Sequence, residues 1–482
     1  MDLQEQAVRG VFLTGSAQFV QQGIQFVNAI ILARLLLPSD FGLVSMVAVF
    51  TGILGITRNW GMDAALIQRK EVDDICFSTV FWSVLVSGFG LFLLGIVAAP
   101  LVALFYNEQL LQPLMIVSSL TFIIRTLGMT PNAMLLRNLA FKKIAQINIT
   151  STVTGSIVSI GLALASAGPW SIVIGQIAAF STITILAWIV INKLPKLCFD
   201  LQIFRQMAKF GLNFLGFRMT DYVRSQIDYL LIGKFFGATS LGYYTLANTL
   251  ITLPQRKISG IMSGVTFPTF SKIQDNNAGI CKGYTKSVLA TALISFPLLI
   301  GLFCLADSFV YMVYGEKWMQ IVLPVKILVI FGLVSSLTAL QGSIFLSKGR
   351  TDLLFRIGVC SSIACTVAII IGTKWGLLGV ITALTIIMTI IGYISQIIVN
   401  QLIKLPLKDF FGSLRTPFIA SIVMGTVLLF CRDKIAAINS LSHLQMLLVM
   451  IPVGALIYLI TLRLIAYDLL KDLLSKIKFL RR

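Results

Sequence analysis

Four charged residues, Arg218, Asp221, Arg224 and Asp228, recur at helical spacing inside an otherwise apolar stretch. At 100° per residue they fall within roughly a 120° arc, so one helix face alternates in charge. Charges in an apolar medium are costly and face a cavity or one another. The ladder is therefore either self-neutralising, with pairs at i,i+3 and i,i+4, or the wall of a polar path. On the second reading its arginines meet an anionic substrate, and Asp221 or Asp228 couples ion or proton movement. A second stripe, Thr14, Gln18, Gln21, Gln22, Gln25 and Asn28, also spans roughly 120° of one face. Amides both donate and accept, which suits the many hydroxyls of a sugar. The same residues would also serve interhelical hydrogen bonds, worth about 0.6 kcal/mol each.

The other cations in or beside apolar stretches are Arg34, Arg58, Arg125, Lys234, Arg256, Lys257 and Lys326. Each is long enough to snorkel to a headgroup layer. Arg256 and Lys257 follow Pro254, where a broken helix exposes backbone and tolerates charge, and they are expected to contact phosphate. Asp63 and Asp307 lie near the ends of apolar stretches and are expected to be solvated.

Several chemistries are excluded. His443 is the only histidine, and the seven cysteines show no CxxC spacing, so no metal site and no cofactor is expected. No GxxxxGK[ST] run is present: Gly233-Lys234 lacks the upstream glycine and the following hydroxyl residue. The residues offer no catalytic constellation, and the chain reads as a non-enzyme.

The elements that must position these residues are membrane helices. The 482-residue chain is 57% hydrophobic and 12% charged, with mean hydropathy +0.92, against about 25% charged residues in soluble domains. The fold class is an all-α polytopic membrane protein. Apolar runs place fourteen spans, approximately 10–33, 41–57, 77–100, 110–130, 146–166, 170–191, 210–232, 241–267, 287–306, 322–346, 354–373, 376–400, 416–431 and 446–467. Alternate loops hold 25 lysines and arginines on one side against 6 on the other. That bias puts both termini in the cytoplasm. The net charge of +19 is thus topological, with anionic membrane lipids as its neighbours and no nucleic acid implied.

The stretch Ile31 to Phe50 is echoed by Leu231 to Leu250: Arg34 falls on Lys234, Asp40 on Ser240 and Gly42 on Gly242. The copies lie between spans 1 and 2 and between spans 7 and 8. The sequence therefore divides into two pseudo-symmetric six-helix lobes, 1–195 and 196–402, followed by two additional helices and a basic tail, 403–482. Such parallel repeats are related by an axis along the membrane normal, with the substrate path at the repeat junction. The loop 192–209 is expected to be an interfacial amphipathic helix.

The run Ala33-Arg34-Leu-Leu-Leu-Pro38-Ser-Asp-Phe41-Gly42 resembles the first-loop signature of bacterial polysaccharide exporters. So do Asp228-Tyr-Leu-Leu-Ile-Gly233-Lys234 with Leu241-Gly242-Tyr243-Tyr244, and Pro254-Gln-Arg256 continuing to Phe267-Pro268-Thr-Phe-Ser271. In this respect the chain is similar to Wzx-type lipid-linked oligosaccharide flippases of the MOP superfamily, on the colanic acid and teichuronic acid exporter branch. The resemblance implies a MATE-like fold and movement of undecaprenyl-diphosphate-linked repeat units from the cytoplasmic to the periplasmic leaflet of a bacterial cytoplasmic membrane. It implies that Arg34, Arg218, Arg224, Lys234 and Arg256 hold the diphosphate; beside it, the residue chemistry adds Lys257 as a phosphate contact and Gln18, Gln21, Gln25 and Asn28 as sugar contacts. Polymerase and chain-length regulator of the same pathway would be partners. The competing reading is a cation-coupled drug or metabolite antiporter of the MATE class, whose cavity should be acidic or aromatic.

Overall fold

The computed structural model describes residues 3–58, 62–69, 72–438 and 442–465. Within these ranges the side chains of 3–14, 64, 65, 68, 206–221, 253–261, 263, 265 and 435–438 are outside the description. The described chain is helical throughout: α1 Leu3–Leu35, α2 Pro38–Ile56, α3 Met62–Gln68, α4 Asp74–Tyr106, α5 Leu111–Arg137, α6 Phe141–Leu164, α7 Trp170–Ile191 and α8 Leu201–Lys272. Then follow α9 Asn277–Tyr314, α10 Val322–Thr338, α11 Gln341–Ser347, α12 Thr351–Gly372, α13 Gly376–Ile403, α14 Leu407–Ile438 and α15 His443–Ile465. α8 is two helices joined at Gly237, whose φ of 76° and ψ of −178° only glycine adopts without strain. With α10 and α11 taken together as one broken span, and the seven-residue α3 set aside, the helices make the fourteen spans read from hydropathy. The chain is a multi-pass membrane protein.

Local chemistry sets the helix ends. Pro38 opens α2, where no donor is needed, and Asp40 accepts from Leu37 N at 2.8 Å. Asp73 caps α4 through Cys76 N at 2.8 Å, and Asn107 closes it in the left-handed region. Outward faces are apolar: Val86, Leu104 and Ile189 are 70%, 76% and 66% exposed, the inverse of a water-soluble helix and suited to acyl chains.

Contacts divide the chain into two compact units, Met1–Gly242 and Tyr243–Arg482. Residues 196–242, which the sequence pattern grouped with the second lobe, thus pack with the first. In the first unit the duplicated turns meet. A Cβ on Gly42 would lie 1.7 Å from Ala238 O, and one on Gly242 would lie 1.8 Å from Pro38 O. The copies of the repeat therefore touch backbone to backbone, an approach that only glycine permits.

The expected helix over 192–209 is only partly formed. Residues 192–200 form no regular element, with Asn192 in the left-handed region, and helix begins at Leu201. The irregular stretch is pinned to the start of α4: Lys196 N donates to Ser78 Oγ at 2.9 Å, Asp200 N to Thr79 Oγ1 at 3.0 Å, and Trp82 Nε1 to Lys196 O at 2.9 Å. Lys193 and Lys196 both reach Asp74 at 2.7 Å, and hydrogen bonding to Asp74 holds the Lys196 pKa above its ordinary value. Those side-chain to backbone bonds replace the ladder a helix would have made.

In the second unit Tyr284 and Phe410 stack within a core shared by α9, α11, α13 and α14. The break between α10 and α11 is held by buried amides: Gln341 Nε2 and Tyr284 Oη donate to Gln396 Oε1 at 2.8 and 3.0 Å, and Ser395 Oγ donates to Gln341 Oε1 at 2.6 Å. Spans 13 and 14 (α14 and α15) pack on α9 through Met424, Met450 and Tyr458. Tyr458 Oη donates to Leu293 O at 2.8 Å.

Candidate functional site

The first unit contains a cavity of about 350 Å³ walled by α2, α5 and α7. Its lining includes Arg58, Arg125, Thr51, Thr121, Gln176 and Phe180. Arg125 stands midway along α5, too far from either end to snorkel. Its guanidinium lies over the Phe180 ring, 4.5 Å from the centroid, so the aromatic face of α7 holds the cation in place. Arg58 follows α2 after the Thr57 cap. Its carbonyl accepts from Ser87 Oγ at 3.2 Å. Ser87 lies about 20 Å along α4 from Asp74 at 1.5 Å per residue, so Arg58 sits well along α4 from its N-terminal end.

Two guanidiniums lining one cavity repel each other. Among the described lining residues there is no carboxylate. Thr51, Thr121 and Gln176 add hydroxyl and amide groups. The arrangement favours an anion with several acceptor oxygens, because planar guanidiniums offer paired donors that fit phosphate.

The residues singled out from sequence fall elsewhere. Lys234 donates to Phe105 O and lies 4.8 Å from the Phe105 ring centroid. Phe105 O belongs to the last turn of α4, where a cation meets the negative end of the helix dipole. Arg34 is exposed in the last turn of α1, and Arg224 and Asp228 are half-buried on α8. None of these lines the cavity. The side chains of Arg218, Asp221, Arg256 and Lys257 lie outside the described residues.

The amide stripe of α1 divides into two uses. Gln21 Nε2 donates to Thr152 Oγ1 at 3.3 Å, and Asn28 Oδ1 accepts from Ser159 Oγ at 3.2 Å, so these two join α1 to α6. Gln18 and Gln25 are exposed.

Asp307, expected to be solvated, keeps 43% of its side chain exposed and also pairs with two cations of the second unit. Lys326 Nζ is 2.8 Å from its Oδ2, and Arg432 Nη1 is 3.6 Å from the same oxygen. Beside it the His443 ring stacks on Tyr311 at 4.4 Å, with Nδ1 3.3 Å from Ser308 Oγ. Among the described residues no group of histidine, cysteine or carboxylate side chains could hold a metal ion.

Arg58 and Arg125 were missed as a pair because residues 67 positions apart meet only through tertiary packing. The available signal was the mid-span position of Arg125.

A family profile described as polysaccharide biosynthesis protein matches residues 31–323. The teichuronic acid biosynthesis protein TuaB of Bacillus subtilis (strain 168) is 31% identical over 448 residues, 91% of each chain. The lipopolysaccharide biosynthesis protein WzxC of Escherichia coli (strain K12) is 26% identical over 432 residues, 88% of this chain and 87% of its own. Among solved structures, the lipid II flippase MurJ in an inward closed conformation superposes with a TM-score of 0.75 at 17% identity, covering 95% of this chain and 100% of its own. An inward-facing multidrug resistance MATE family transporter of the MOP superfamily gives 0.63 at 15% identity, covering 80% and 96%. The fold is that of the MOP superfamily.

Proposed function

Because the chain belongs to the polysaccharide biosynthesis protein family, we propose that it is a flippase for undecaprenyl-diphosphate-linked oligosaccharide repeat units. It carries them from the cytoplasmic to the periplasmic leaflet of a bacterial cytoplasmic membrane, by alternating access, for surface polysaccharide assembly. The observation that carries this reading is the cavity between α2, α5 and α7, whose lining brings Arg58 and Arg125 together with Thr51, Thr121 and Gln176. The guanidiniums take the diphosphate, and Thr51, Thr121 and Gln176 take neighbouring hydroxyls. Arg34, Arg218, Arg224, Lys234, Arg256 and Lys257 extend the cationic path. Gln18 and Gln25 meet sugar along it, and Asp221 and Asp228 couple an ion. Both termini are cytoplasmic, and a polymerase and chain-length regulator receive the product.

The energetics need no nucleotide. Each negative charge moved outward from a cytoplasm held 100 mV negative gains about 2.3 kcal/mol. A cationic drug would meet like charge in the arginine cavity, which weighs against the MATE-type antiporter reading.

The test is leaflet accessibility of the lipid-linked repeat unit in cells lacking this chain and any redundant carrier. Accumulation in the cytoplasmic leaflet is the expected result. Arrival in the outer leaflet at the normal rate would end the proposal.

A further inference from the structure

The arginine cavity shares a wall with a second contact. Ala48 and Gly52 line it from α2, and the same turn of α2 seats the phenol of Tyr222 from α8. Tyr222 Oη donates to Ala48 O at 3.1 Å and to Val49 O at 3.0 Å, one proton shared between two carbonyls. A Cβ on Gly52 would fall 1.7 Å from Oη, so the seat exists only because residue 52 is glycine. Those carbonyls are already acceptors for the helical N–H groups four residues on. The phenol can therefore leave without orphaning α2, whereas its own O–H, once out of the notch, needs another acceptor in a medium that offers none.

We propose that Tyr222 senses occupancy of the arginine cavity: an incoming diphosphate takes over its hydroxyl and frees this part of α8 from α2. A phosphate oxygen carries charge and is a stronger acceptor than a peptide carbonyl already in a helix. The phenol exchanges one partner for the other, and the exchange tells α8 that the site is filled. Another contact of α8 with α2, at Gly42 with Ala238 and Gly242 with Pro38, is backbone against backbone. The sensor rests on the reading of Arg58 and Arg125 as the diphosphate site.

The test uses the full chain in lipid nanodiscs, with hydrogen exchange followed across the α8 segment that begins at Tyr222. Undecaprenyl diphosphate and inorganic diphosphate are the probes. In the wild-type chain, ligand should accelerate exchange in this segment about fivefold, the scale set by loss of one ordinary hydrogen bond. Tyr222→Phe keeps the ring and removes the donor; its exchange should already be fast without ligand and unchanged by it. Gly52→Ala, which fills the seat, should behave the same way. Arg58→Gln with Arg125→Gln should neither bind nor respond.

A response to both probes, or to the lipid alone, supports the sensor, and the contrast assigns the trigger to the diphosphate or to the lipid that bears it. Wild-type behaviour of Tyr222→Phe and Gly52→Ala, alongside lost binding in the arginine variant, overturns the sensor while leaving the cavity as the binding site. Unchanged binding in the arginine variant overturns both.

Discussion

A pair of cations sits in each unit, and the two pairs differ in the company they keep among the described residues. In the second unit Lys326 and Arg432 converge on Asp307, and Arg432 also donates to Cys304 O at 3.2 Å and pairs with Asp433 at 3.1 Å. That pair joins α9, α10 and α14 and leaves little positive potential for anything else. In the first unit Arg58 and Arg125 share a cavity whose lining offers hydroxyls, an amide and an aromatic face. On the proposed reading the same residue types serve as a fastener in one place and as a receptor in the other. What differs is the setting: Lys326 and Arg432 close on Asp307, whereas Arg58 and Arg125 line one cavity.

The comparison breaks most readily at the arginines. Arg58→Ala with Arg125→Ala should cut polysaccharide export by a factor of ten to a hundred at unchanged protein level, since each lost charge-assisted hydrogen bond is worth about 1.5–3 kcal/mol. Arg125→Lys should recover only part, because an ammonium lacks the planar fork. Export at the wild-type rate in the double variant would put Arg58 and Arg125 on the fastener side.

The carboxylate sharpens the contrast from the other side. Asp307→Asn should lower stability by about 1 kcal/mol, the scale of a partly exposed ion pair. Export should fall only as far as protein level does. Adding Lys326→Ala and Arg432→Ala should return part of the lost melting temperature, since the stranded positive charges go with their partner. A transport defect in that triple variant at normal protein level would give the second pair a role in the cycle.

The smallest effects are expected on α1. Gln21→Leu with Asn28→Leu should cost about 0.6 kcal/mol per lost contact in thermal melting while leaving export per molecule intact. Gln18→Ala with Gln25→Ala should do the reverse, slowing transport with no change in melting. Identical behaviour of the two double variants would mean that the stripe has a single use.

Much of the fold was legible because hydropathy and the positive-inside bias are one-dimensional signals, and fourteen spans follow from them. The duplication was legible too, since Gly42 and Gly242 mark their turns in the sequence as they do in space. The site was less so. Arg125 was grouped with cations able to snorkel, and nothing local announces that α7 delivers Phe180 to its guanidinium or that the Arg58 carbonyl meets Ser87 of α4. Asp307 looked like a loop-end carboxylate because its partner Arg432 is 125 positions away. The stretch 192–209 carried an amphipathic pattern that helix periodicity fits, and helix forms from Leu201, but Ser78, Thr79 and Trp82 take the backbone groups of Lys196 and Asp200 ahead of it. In each case the missing information was a contact at long sequence separation.

The reciprocal seating of Gly42 on Ala238 and of Gly242 on Pro38 has a bearing on how such a chain can change over time. Elsewhere each half of the duplication is free to drift, and the two stripes on spans 1 and 7, one of amides and one of charges, show how far they have gone. At these turns each copy is the mould in which the other is cast. A side chain gained at position 42 has to be accommodated at 238, and one gained at 242 has to be accommodated at 38, so the ancestral symmetry survives where the halves are each other's environment.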